Sequence, residues 1–267
     1  MSDKPAKRIG IIGYGQIGAS IYEQVQQLRE LHLEVAFVYE TDPHKRKSIP
    51  AAIAIESMEH AADFKPDLVV EAAHPKAVGQ FAEKVLQQTD LMILSVSALA
   101  DADLEATIRS ACRQHGTHLY IPHGATLGLD GLKDGISIWE EVTITMKKNP
   151  KNLNFDAVPD IRPQDILSQT ILYDGPTRGV LPLYPKNVNS HATLALATLG
   201  MDRTRSVLVA DPALDVSIIE IDAVGAGTRI HIERSNPIKG VTGKLTILSV
   251  MESIKNIFGN QEVIRIC

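Results

Sequence analysis

Apolar residues in the first part of the chain form short unbroken runs, and between the runs they recur at helical spacing. Arg8-Ile9-Gly10-Ile11-Ile12 is one such run, closed by Gly13. Ile17, Ile21, Val25 and Leu28 then mark one face of a helix that reaches about Leu31. Leu33 to Tyr39 is a second run, so strand, helix and strand follow one another at the length of a βαβ unit. The alternation continues. Residues 67–71 (DLVVE) predict a strand, Pro75 opens a helix to about Gln88, and 91–95 is again strand-like. A helix is predicted over 101–115, stopped by Gly116, and a strand over 118–121. Val-, Ile- and Leu-rich runs without alternation suit parallel strands buried on both faces. Residues 1–121 are therefore predicted as a doubly wound α/β domain.

The pattern changes after residue 121. Strand-like segments over 142–146, 169–173, 207–209, 216–223 and 228–233 show period-two alternation in several cases, and one helix is predicted over 190–200. Residues 122–239 are predicted as an α+β domain with a mostly antiparallel sheet, for substrate binding and dimerisation. Residues 240–267 are expected to return to the first domain through a helix over 242–258, capped by Gly259, and to end in a short strand over 262–266.

Composition narrows the function classes. The chain has 267 residues, 44% hydrophobic and 22% charged, the profile of a globular protein rather than a disordered or fibrous one. There are 27 basic and 32 acidic residues, a net charge of -5, which argues against nucleic acid as a partner. No run approaches the roughly 18 apolar residues of a membrane helix, and MSDKPAKR at the start lacks a signal-peptide core. Cys112 and Cys267 give no disulfide or zinc framework, and a reducing cytoplasmic setting is expected. The nine histidines show no metal-ligand spacing, so no metal is expected, and no GxSxG nucleophile elbow is present.

The chemistry begins at Gly13-Tyr14-Gly15-Gln16-Ile17-Gly18, a GxGxxG that closes a strand and opens a helix. In that context Gly13 makes the turn, Gly15 admits a pyrophosphate, and Gly18 lets helix and strand pack closely. The N–H groups at the helix start, from Gln16 and Ile17 onward, face the phosphates. Glu40 ends the second strand, where a carboxylate binds the ribose hydroxyls of NAD. Thr41, Lys45 and Arg46 follow it and suit either a 2′-phosphate or a solvated turn, so both NAD and NADP remain open. Ala73 and His74 end the strand near residue 70 and face the cofactor in this fold, although His74 equally suits a helix cap. The glycine-rich loop from His123 through Ala125 follows another such strand end. Lys186, Asn187, Asn189 and His191 form a dense polar cluster before the helix near 190, suited to a substrate carboxylate or the nicotinamide carboxamide.

The chain resembles the L-aspartate dehydrogenase family over nearly its full length. The resemblance rests on GYGQIG (13–18), EAAHPKAV (71–78), HGATLGLDGLK (123–133) and LYDGPTRGVLPLYPKNVNSHATLALA (172–197), with ADP (210–212), NP (236–237) and LTILS (245–249). It implies a Rossmann domain, a second domain whose sheet helps form a homodimer, and reversible NAD(P)-dependent oxidative deamination of an amino acid through an imine. By position, Ala125 and Asn189 match family cofactor contacts. The family's catalytic histidine lies in an Asn-x-His-Glu-Ile stretch, which here is Ser217-Ile218-Ile219-Glu220-Ile221. Ile219 takes the histidine's place, while His191 and His123 stand where the family carries a small apolar residue and a Ser. The chain is thus expected to be an oxidoreductase acting on the CH–NH2 group of a small amino acid, or reducing an imine of an oxo acid. His191 or His123, with a pKa near neutrality, is the expected acid/base, and Lys186 or Lys239 the expected carboxylate partner. The alternative is a non-catalytic NAD(P)-binding sensor or partner protein, motivated by Ile219.

Overall fold

In a computed structural model, residues 6–27, 32–237 and 244–259 are described. The strand over 262–266, Lys239, and the Leu28 end of the first helix lie outside the described residues. The elements run β1 (Lys7–Ile12), α1 (Gln16–Gln27), β2 (Leu33–Tyr39), α2 (Pro43–Arg46), β3 (Ala54–Ile55), β4 (Leu68–Glu71), α3 (Pro75–Leu86), β5 (Asp90–Ile93), α4 (Ala102–His115) and β6 (Leu119–Tyr120). Then follow α5 (Leu129–Asp134), β7 (Glu141–Lys148), β8 (Thr170–Pro176), α6 (Thr177–Val180), α7 (Asn189–Ala197), β9 (Arg205–Ala210), β10 (Val216–Gly225), β11 (Thr228–Pro237) and α8 (Lys244–Phe258). Short 3-10 turns occupy Met58–Phe64 and Val96–Ala100.

The chain divides into two compact units, Met1–Leu94 with Thr107–Pro122 and Ile247–Cys267, and Ser95–Ala106 with His123–Thr246. Unit 1 holds a six-stranded sheet in the order β3-β2-β1-β4-β5-β6, parallel throughout. Its strands are buried on both faces, which explains their unbroken apolar runs: Ile9, Ile11, Val38, Leu68, Val70 and Met92 have no exposed surface. Val250, Met251 and Ile254 of α8 belong to the same core. The predicted Rossmann-type α/β class is the observed one.

Unit 2 holds a five-stranded sheet in the order β11-β10-β7-β9-β8. Three of its pairings are antiparallel and β7–β9 is parallel. Strict alternation along β7 and β10 gives the sheet one buried face, with Val142, Ile144, Met146 and Lys148 on β7 and Ser217, Ile219, Ile221 and Ala223 on β10. Helix α7 is apolar nearly all round and buried from Ser190 to Ala195.

Residues 95–106 group with unit 2, whereas the pattern of apolar runs places them inside the first 121 residues. The reason is specific tethering. The Ser97 N–H donates to Asn189 Oδ1 at 3.0 Å, and the Ser97 hydroxyl donates to the Pro185 carbonyl at 2.9 Å. The Arg178 guanidinium donates to the carbonyls of Leu99 and Ala100 at 3.3 and 3.1 Å. These contacts join residues about 80–90 positions apart, which no local pattern reveals.

Candidate active site

The turn between β1 and α1 has the geometry of a phosphate cradle. Gly13 has φ +93°, a left-handed conformation, and a Cβ there would lie 2.8 Å from the Cβ of Ala73. A Cβ on Gly18 would run into the Gly13 carbonyl, so only glycine lets α1 start this close to β1. A Cβ on Gly15 would meet nothing within 4 Å, which leaves the space beside the helix start open. Gln16 is exposed at that start, and Ile17 packs against the unit 1 core. The Glu40 carboxylate is buried and accepts the Tyr14 N–H at 2.8 Å and the Asp42 N–H at 2.9 Å. It is thereby fixed beside the turn. An open cradle at a helix N-terminus with a carboxylate at the end of the second strand fits a dinucleotide's pyrophosphate and ribose. Thr41 is exposed just beyond it, and Arg46 is held by Glu56 and the Glu40 carbonyl.

At the end of β4, the buried Glu71 carboxylate accepts the Ala73 N–H at 2.8 Å and shapes the loop that meets Gly13. Ala73 is exposed there. His74 is the N-cap of α3, its Nδ1 accepting the Lys76 N–H at 3.0 Å, so the capping reading describes what this side chain does.

In unit 2, His123 is exposed on its loop and Ala125 half-buried. Lys186 is exposed and ion-paired with Asp156 at 2.9 Å, so its charge is already matched by an acidic side chain. Asn187 is buried and fully used: its Oδ1 accepts the Asn154 N–H at 2.8 Å, and its Nδ2 donates to the Asn152 carbonyl at 3.3 Å. Asn189 Oδ1 accepts the Ser97 N–H, and its amide nitrogen has no partner among the described residues.

His191 differs from all of these. It has no exposed surface, and neither ring nitrogen has a hydrogen-bond partner. The expected near-neutral pKa is corrected: burial, and then the charge of Lys148, push it down to about 3. Lys148 is itself buried at the end of β7, and burial together with the nearby Arg234 lowers its pKa to about 8. Burial also lowers the pKa of Arg234, whose Nε is unpartnered. Ser217 pairs with Asn236 in the β10–β11 ladder, and the β10–β7 register carries Ser217 alongside Lys148. The Ser217 hydroxyl and Asn236 Oδ1 are buried without partners, as is the hydroxyl of Ser190 on α7. Two cations, an imidazole and the polar groups of Ser217 and Asn236 thus share one buried patch, with no carboxylate pairing either cation among the described residues. Buried polar groups in a native fold normally carry partners. This patch lacks them and is positively charged, the chemistry that would attract an anionic ligand.

Comparison with known proteins agrees with both halves. Residues 130–257 match the family described as aspartate dehydrogenase, C-terminal, and residues 13–122 match the homoserine dehydrogenase NAD binding domain. An L-aspartate dehydrogenase from Nitrosopumilus maritimus is 34% identical over 93% of this chain and 96% of its own length. The chain belongs to the aspartate dehydrogenase family. An aspartate dehydrogenase domain-containing protein from Xenopus tropicalis is 32% identical, with both chains covered completely. The crystal structure of the aspartate dehydrogenase from Thermotoga maritima superposes with a TM-score of 0.77 at 25% identity, covering 98% of this chain and 99% of that one.

For a member of the aspartate dehydrogenase family, the position of Ile219 is informative. It lies on the buried face of β10, opposite Arg234, in the strand segment where the family resemblance places a histidine. The histidine gained at 191 belongs to the same patch, coupled to it through Lys148. Lys148, Arg234, Ser217 and Asn236 escaped sequence reasoning. Alternation put Ser217 on an inward-facing position, and a polar residue at an inward position was the one signal available. Among the described residues, no group of three or more His, Cys, Asp or Glu is arranged to hold a metal, and no helix is long and apolar enough to cross a membrane.

Proposed function

We propose that this aspartate dehydrogenase family member catalyses the reversible NAD(P)-dependent oxidation of the CH–NH2 group of a small acidic amino acid. Aspartate is the substrate for which its relatives are named. The observation that carries the reading is the buried pair of cations, Lys148 and Arg234, without an acidic partner among the described residues. A carboxylate ligand would neutralise them and accept a hydrogen bond from the Ser217 hydroxyl. A sensor that only binds a dinucleotide has no use for such a patch, which favours the enzyme.

The cofactor is NAD or NADP and supplies the hydride acceptor when bound. Gly13, Gly15, Gln16, Ile17 and Gly18 are assigned to its diphosphate, Glu40 and Thr41 to the adenosine ribose, and Ala73 and His74 to the loop beside it. In unit 2, Asn189 keeps an amide donor suited to a carboxamide, and Ala125 is assigned from the family pattern. Asn187, with both amide atoms already used, is left to hold its loop. Among the residues first assigned to catalysis, His191 is kept as a neutral imidazole that hydrogen-bonds the substrate. The exposed His123 and the paired Lys186 are left out of the chemistry.

The assembly proposed is a homodimer in the cytoplasm. The sheet face of unit 2 opposite its buried one carries Ile171, Val207 and Ile218, and Leu167 before the edge strand β8 is 86% exposed. Apolar surface of this kind suits a second copy of the chain.

The test is a panel of amino acids offered with NAD or NADP, and of oxo acids with ammonium and the reduced cofactors. L-aspartate should be turned over fastest among the amino acids. NAD should be preferred over NADP by about tenfold or more, because the fixed Glu40 carboxylate repels a 2′-phosphate. Dinucleotide binding without turnover of any substrate would instead support the sensor.

A further inference from the structure

Lys148 stands at the centre of the unit 2 patch, and the patch supplies more than a fixed anchor for an anion needs. Arg234 already provides a permanent charge, since a guanidinium stays protonated at any working pH. Lys148 ends β7 on the buried face, with Ser217 alongside on β10, Asn236 and Arg234 on β11, and His191 on α7. Among the described residues, every titratable group that acts on it is basic. On the opposite face of the same strand, Lys147 pairs with Glu220 at 2.6 Å, which shows the local alternative of an ordinary ion pair. Among the described residues Lys148 has no carboxylate partner, and its buried ammonium is left beside other basic groups.

Resting on the dehydrogenase reading above, we propose that Lys148 is the proton-transfer group of the reaction, accepting a proton from the substrate's α-ammonium. The substrate N–H bond breaks as a new N–H bond forms on Nζ, using the lysine lone pair. The amine lone pair that this frees closes the C=N bond as the α-hydrogen departs as hydride with its bonding electrons. Water hydrolyses the resulting iminium to oxo acid and ammonium. In sum, one amino acid, one oxidised nicotinamide and one water give one oxo acid, one ammonium, one reduced nicotinamide and one proton. That last proton is the one held by Lys148, returned to solvent.

Two features support the lysine over the neighbouring imidazole. Its pKa of about 8 places the neutral amine within reach near neutral pH, where acid–base catalysis works best. His191, at about 3, is too weak a base to take a proton from an ammonium. An incoming carboxylate adds negative charge beside Lys148 and strengthens its hold on the proton once it is taken.

The experiment compares the full-length wild type with Lys148→Arg and Lys148→Met, each with NAD present. It measures the pH dependence of kcat for L-aspartate and the calorimetric affinity for succinate, an unreactive dicarboxylate. In addition, the lysine side chains of the wild type are titrated by carbon NMR of labelled lysine. One lysine should titrate near pH 8 without substrate, and wild-type kcat should rise with pH through a range at or above that value, since a bound carboxylate raises the lysine's pKa. Lys148→Arg, which keeps the charge but cannot lose it, should bind succinate within a few-fold of wild type and lose about 100-fold or more in kcat. Full activity in Lys148→Arg with an unchanged pH profile overturns the inference and leaves Lys148 as an anchor. So does a wild type in which no lysine titrates below the ordinary range, and this readout does not depend on any variant folding. A wild type that turns over no amino acid overturns the dehydrogenase reading itself, a separate and recognisable result.

Discussion

His191 and Lys148 are both buried bases, linked electrostatically, and the same physics keeps each from its ordinary ionisation. Leaving water penalises the charged form, and each neighbouring positive charge adds to that penalty. The consequence for stability has a definite sign. His191 titrates at about 3 when folded and near 6.5 when unfolded, so between those values the unfolded chain binds the extra proton. Stability therefore falls as pH drops through that window, by up to about 1.4 kcal/mol per pH unit from this group alone. His191→Leu keeps a similar volume and removes the titration. In urea melts at pH 7 and pH 4.5, the variant should lose about 2–3 kcal/mol less than wild type on acidification. An equal loss in both proteins would mean that His191 is not held neutral in the fold.

At the scale of elements, the β1–α1 turn separates two uses of glycine. Gly18 serves the fold, because any side chain would collide with the Gly13 carbonyl. Gly15 has open space around its missing side chain and serves what comes to lie there. Gly15→Val should accordingly fold, with a melting temperature within a few degrees of wild type. It should weaken NADH binding, followed by fluorescence, by about tenfold or more, since its methyl groups fill the cradle. Unchanged affinity would place the pyrophosphate elsewhere. The turn was legible in the sequence because strand, glycines and helix are contiguous and each carries its own pattern. The two-residue β3 and the 3-10 turn at Met58–Phe64 were not, since segments that short complete no period of either kind.

For the whole molecule, the sheet of unit 2 is the feature that asks for a partner. Its β7–β10 core alternates cleanly, so the second face presents Thr143, Thr145, Ile218 and Val207 between charged residues such as Lys147 and Glu220. Ile171 on the edge strand lies in register with Val209, and Val209 with Lys147, which extends that face to the edge of the sheet. Sedimentation should give twice the chain mass for wild type. Ile171→Lys combined with Leu167→Lys should shift the equilibrium toward monomer, because each places a charge where apolar surface would be buried. A wild type that sediments as a monomer at tens of micromolar would remove the homodimer.

The sequence by itself determined the parallel nucleotide-binding sheet, the glycine cradle with its carboxylate at residue 40, and the family. All of these rest on neighbours in the chain or on motifs read in order. It also singled out His191, though not the state of its ring. The buried basic patch of unit 2 comes from the tertiary structure alone. Residues 148, 217, 234 and 236 come from three strands and share a surface only because the β10–β7 and β10–β11 registers set them on one face, and His191 of α7 is coupled to them through Lys148. Burial is likewise a property of the assembled layers. It turned an expected near-neutral histidine into a neutral one, and an unremarked lysine at the end of β7 into the most readily titrated base of the site.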